Sequence, residues 1–137
     1  MIYPMFAMIV LTFAVAIYML SLRVSAVRSG RVKLSAFRLN NEETMSPRML
    51  QVARNYSNLF EMPVLFYAAG AVTLALNLNS IAMSILAWLF VVSRIVHSLI
   101  HITSNNVIRR MQAFMAGNLC ILLIWMLIVW DYTTHHA

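Results

Sequence analysis

Eight side chains could do chemistry in this chain: Arg54, Asn58 and Glu61, then Arg94, His97 and His101, then the adjacent pair Arg109 and Arg110. The first three stand at i, i+4 and i+7 and share one face of a helix, within about 60° at 100° per residue. The second three stand at i, i+3 and i+7, with Asn105 continuing their stripe. Three simple readings compete for them. The arginines could snorkel to lipid headgroups. Glu61 could neutralise Arg94 as a structural pair. His97 and His101 at i and i+4 could ligate a metal, but no third cysteine, histidine or carboxylate has a matching signature, so no metal is expected. None of these explains why all eight groups converge on one level of the chain. Ionisable groups at the edge of apolar sequence are costly and face a partner or a cavity.

The elements that must position them are apolar. Of 137 residues, 62% are hydrophobic and 10% charged, with a mean hydropathy of +0.80. A soluble domain carries about 25% charged residues. So much apolar surface cannot be hidden in a core of this size, and lipid is the expected solvent. Four blocks are long enough to span a bilayer, which takes roughly 20 apolar residues. Ile2–Leu22 and Met111–Trp130 are uncharged, Leu59–Leu78 carries only Glu61, and Ile81–Ile102 carries Arg94, His97 and His101. Backbone groups in lipid must pair internally, so the blocks are helices. The expected fold is an all-α integral membrane four-helix bundle in one domain, with helices over about 2–27, 47–76, 80–103 and 106–131. The first basic residue, Arg23, follows the first block, so that block reads as a permanent helix and not as a signal peptide. The lone cysteine, Cys120, permits no internal disulfide.

Ser46 and Pro47 read as the N-cap and first position of helix two. A continuous helix from there to Leu76 is about 45 Å long and projects its first turns beyond the hydrocarbon. Asn79 or Ser80 can cap helix three, and Ser104, Asn105 or Asn106 helix four. Arg23, Arg28, Arg31, Lys33, Arg38, Arg48 and Arg54 lie in or beside the first connection and Arg109 and Arg110 beside the third, while 77–80 has no basic residue. The positive-inside rule puts connections one and three in the cytoplasm and both termini on the non-cytoplasmic side. The net charge of +6 is spread through a loop suited to anionic lipid headgroups, and no nucleic acid is needed to explain it.

The motifs resemble the MAPEG family, the membrane-associated proteins in eicosanoid and glutathione metabolism. R-x-x-x-N-x-x-E appears as Arg54, Asn58 and Glu61, followed by Pro63. R-x-x-H-x-x-x-aromatic/His appears as Arg94, His97 and His101. The fourth helix opens "RRMQAFMAGN", with Phe114 and Gly117. The resemblance covers nearly the whole chain and implies a homotrimer with glutathione bound between subunits near the cytoplasmic side. Arg54 then resembles the arginine that grips the tripeptide's backbone or carboxylates. Asn58 and Glu61 resemble the pair on its amide and amino groups. Arg94, His97 and His101 match polar third-helix positions of the binding site. Arg110, with Arg109 as the contender, resembles the catalytic arginine that stabilises the thiolate. These types suit glutathione: arginine forks suit carboxylates, a carboxylate suits an amine, and a nearby cation makes a thiol nucleophilic. The implied activity is a glutathione-dependent transferase, peroxidase or isomerase acting on a lipophilic electrophile. The sequence departs from the pattern at His101, where several catalytic members carry tyrosine, and at Ser57, where some carry a second arginine. Two alternatives stand beside it. One is a non-catalytic lipid-binding protein on the same scaffold. The other is a small multidrug transporter, whose plan puts its glutamate in helix one, where this chain has no acid. The expected location is a bacterial inner membrane, ahead of an endoplasmic one.

Overall fold

The computed structural model describes residues 1–37, 45–78 and 80–136. It has α1 (Ile2–Arg28), a 3-10 turn (Leu34–Phe37), α2 (Pro47–Asn58), α3 (Met62–Ala75), α4 (Ile81–Ile102) and α5 (Val107–His136), with no strand among the described residues. Four stretches are long and apolar enough to cross a membrane: Ile2–Arg28, Pro47–Ala75, Ile81–Ile102 and Val107–Thr134. The protein is an integral, multi-pass membrane protein.

Local chemistry sets the helix ends. Ser46 Oγ accepts from the Met49 amide at 3.3 Å and Ser80 Oγ from Met83 at 3.1 Å, each satisfying a first-turn donor. Asn106 is the cap of α5, its Oδ1 accepting from the Arg109 amide at 3.0 Å. Asn79 and Arg38 lie outside the described residues. After α1, Gly30 turns at φ 68° and Arg31 donates back to the Ala26 carbonyl at 3.1 Å, closing the helix through a left-handed residue. Thr133 and Thr134 hydroxyls donate to the Trp130 carbonyl, and α5 runs on past the apolar block to His136, beyond the expected end near 131.

One expectation is corrected. The second span is not a continuous helix over 47–76: it stops at Asn58, turns through Leu59–Glu61 and restarts at Met62. Pro63 is the cause. It has no N–H to give and its ring crowds the Leu59 carbonyl one turn back. The Leu59 and Phe60 amides shorten their reach to Tyr56 and Ser57 carbonyls, at 3.0 and 2.9 Å.

The core joins all four spans. Met8, Val52, Phe66, Ala69, Met83, Phe90 and Ile124 are fully buried, and Phe66 and Phe90 rings meet at 4.5 Å. The outer surface is also apolar: Phe13, Ile17, Ile81 and Trp130 are among many large exposed side chains, as a lipid-facing surface requires. α4 packs most extensively on α5. Gly117 permits that approach, because a Cβ there would stand 2.6 Å from Ser93 Oγ. Gly117→Leu is expected to force the helices apart and cost about 1–3 kcal/mol, the usual range for overpacking. A lowered melting temperature in detergent would register it, and an unchanged one would contradict this packing.

Candidate functional site

The break in the second span builds a polar cleft. α2 is held against α1, where Arg48 Nε donates to the Tyr18 hydroxyl at 2.9 Å. Its last turn and the break then face the end of α4 and the start of α5. Between them lies a cleft of ≈ 300 Å³ whose polar walls are Arg54, Ser57, Asn58, Glu61, His101 and Arg110, with Met45, Leu50 and Ala53 as its apolar part. Arg54 and Glu61 are exposed, and Asn58 and Arg110 half-buried. Glu61 sits at the N-cap position of α3 but makes no side-chain cap bond, leaving its carboxylate to the cleft.

Arg110 organises the opposite wall. Its Nη1 donates to Asn105 Oδ1 at 2.8 Å and to His101 Nε2 at 3.2 Å. Its carbonyl accepts from His97 Nδ1 at 3.1 Å. A carbonyl only accepts and a guanidinium only donates, so His97 carries its proton on Nδ1 and His101 keeps Nε2 bare. Asn105, in the left-handed region at φ 48°, shapes the loop that brings its amide to Arg110.

Not every residue singled out above reaches this cleft. Arg109 is exposed and off the wall; one step along a helix turns a side chain by about 100°, and Arg110 takes the inward direction. Arg94 and His97 are buried behind it. Arg94 is 0% exposed, donates from Nη2 to the Asn58 carbonyl at 2.9 Å, and lies 5.7 Å from the Phe114 ring centroid. It therefore takes up the backbone acceptor that the helix break releases. The α4 stripe thus ties the end of α2 to the start of α5: Arg94 holds one and His97 the other. His97 and His101 belong to no group of three metal-ligating side chains among the described residues.

The sequence reading passed over Asn55. It is 0% exposed, and neither its Oδ1 nor its Nδ2 has a partner among the described residues. Its only signal was a polar residue at helical spacing from Val52 and Leu59, on the face of α2 that turns inward.

Four spans and a cation-rich cleft where the second, third and fourth come together define a polytopic helical membrane protein with a built polar site. The model of the MAPEG family matches residues 1–130, and the chain belongs to that family. No curated protein and no solved structure matches it.

Proposed function

We propose that the cleft binds glutathione as its thiolate and that the protein is a glutathione transferase-like enzyme acting on a lipophilic electrophile. One observation carries this reading: Arg54, Asn58 and Glu61 share a single small cleft with Arg110 and His101. The Arg54 guanidinium suits a carboxylate of the tripeptide, and Glu61 suits its amine. Arg110 in the first turns of α5, near the positive end of the helix dipole, suits a sulfur anion. Arg54→Ala should cost the charge-assisted contact, about 1.5–3 kcal/mol or roughly 10- to 100-fold in affinity. Equilibrium dialysis of glutathione against the solubilised protein would measure it, and equal binding by the variant would remove Arg54 from the site.

The assembly we infer is a homotrimer. Arg54 and Glu61 lie exposed at the open side of the cleft, where a neighbouring subunit would supply the missing wall. Arg94, by contrast, needs no neighbour, since the subunit's own interior receives it. The non-catalytic lipid-binding reading has its own support. An apolar groove of ≈ 530 Å³ lies between α1 and the α2–α3 junction, walled by Phe13, Leu59, Phe60 and Tyr67 among others. The same groove suits a lipophilic cosubstrate.

In the orientation we infer, the basic connection around Ser35 is cytoplasmic and both termini are not. In a chain whose Cys120 is replaced by serine, a cysteine at exposed position 35 should resist an impermeant thiol reagent in intact cells and react after lysis. Labelling from outside would reverse the topology.

A further inference from the structure

The cleft offers a proton acceptor next to a cation. His101 Nε2 lies 3.2 Å from Arg110 Nη1, and both residues line the cleft. Because the guanidinium can only donate, Nε2 is the nitrogen that carries the lone pair, and that lone pair accepts from Arg110 Nη1. The proton of the neutral ring is on Nδ1, which has no partner among the described residues. Arg110 has a second anchor in Asn105 Oδ1 at 2.8 Å, so Nη1 stays held at the cleft wall when it gives up the imidazole.

We propose that His101 takes the thiol proton of bound glutathione, a role that rests on the glutathione reading above. The S–H bond breaks, its electron pair stays on sulfur, and the proton forms an N–H bond at His101 Nε2. Arg110 Nη1 leaves Nε2 and donates to the sulfur. A neutral thiol and a neutral imidazole become a thiolate–imidazolium pair, so the net charge of the cleft does not change and no further reactant is needed. The charged groups around the new imidazolium lie on its own helix and on the neighbouring walls of the cleft. Arg110 on α5, Arg54 on α2 and Arg94 on α4 oppose it, and Glu61 at the α2–α3 junction favours it. His97, whose ring centroid is 5.8 Å away, keeps its Nδ1 proton on the Arg110 carbonyl. The thiolate formed in the same step adds a negative charge that offsets those arginines.

The test counts protons. Glutathione is added to the detergent-solubilised protein in weak buffer with a pH indicator, and the ultraviolet thiolate band is recorded in parallel. S-methylglutathione, which has no thiol proton, gives the baseline for every other ionisation that binding disturbs. Above that baseline, wild-type protein should form thiolate with no net proton release. In His101→Gln the amide oxygen still accepts from Arg110 but cannot hold a proton, so each thiolate formed should release one proton to the medium. Wild-type protein that forms thiolate and releases one proton for each would overturn the role of His101 while leaving the glutathione site intact. Wild-type protein that binds no glutathione would overturn the site and this role together. If the glutamine variant fails to fold, the wild-type proton count decides alone.

Discussion

Arg110→Ala should bind glutathione yet lose most of its thiolate, while Arg109→Ala should keep both. The difference between the neighbours lies in their direction. Arg110 lines the cleft and is fixed by Asn105 and His101; Arg109 points away and is exposed. A cation beside a thiol favours the charged form, and a two-unit fall from the usual thiol pKa of about 8.5 would be worth roughly 2.7 kcal/mol. Losing that would cut the thiolate-to-thiol ratio about 100-fold, enough to remove an ultraviolet difference band at neutral pH. An undiminished band in Arg110→Ala, or its loss in Arg109→Ala, would show that the wrong arginine has been given the sulfur.

The second large effect is expected at Arg94. Arg94→Ala removes a charged hydrogen bond to the Asn58 carbonyl and leaves that acceptor unpaired at the helix break. Such a bond is worth about 1.5–3 kcal/mol, and the cavity left by the side chain adds to the loss. The junction that carries Asn58 and Glu61 loses its anchor, so glutathione binding should weaken about 10-fold alongside a lower melting temperature. Arg94→Met fills the volume and should recover only the cavity part of the loss, because methionine has no donor for the Asn58 carbonyl. It should not recover binding, because the carbonyl at the break stays unheld. A direct ligand contact would behave differently: Arg94→Ala would then lose affinity with an unchanged melting temperature.

The spans and their caps were legible because they depend on local chemistry. Four apolar blocks, Ser46 before Pro47, and Ser80 before Ile81 need only their near neighbours to act. The break at Leu59–Glu61 was signalled by Pro63 but hidden by the periodicity. Arg54, Asn58 and Glu61 have helical spacing, and counting it across the proline treats two helices as one. The structure brings the three to one cleft by a turn, with Glu61 outside both helices. The α4 residues show a different limit. Spacing puts Arg94, His97 and His101 on one face, but which neighbour each meets depends on packing. His101 meets the cleft, Arg94 meets the end of α2, and His97 meets the start of α5. Choosing between Arg109 and Arg110 likewise required the direction in which α5 turns, which adjacent identical residues do not reveal. Asn55 was missed because its burial depends on how α2 packs in the folded bundle, which the sequence does not display.

Whether this cleft binds glutathione as a thiolate is tested most directly by an ultraviolet difference titration of the wild-type protein in mild detergent at neutral pH. A thiolate band that saturates with added glutathione, and is absent with S-methylglutathione, is the result expected from Arg110 and His101 facing Arg54, Asn58 and Glu61. No binding at millimolar glutathione would contradict it and turn the reading to a lipid-binding protein on the same scaffold.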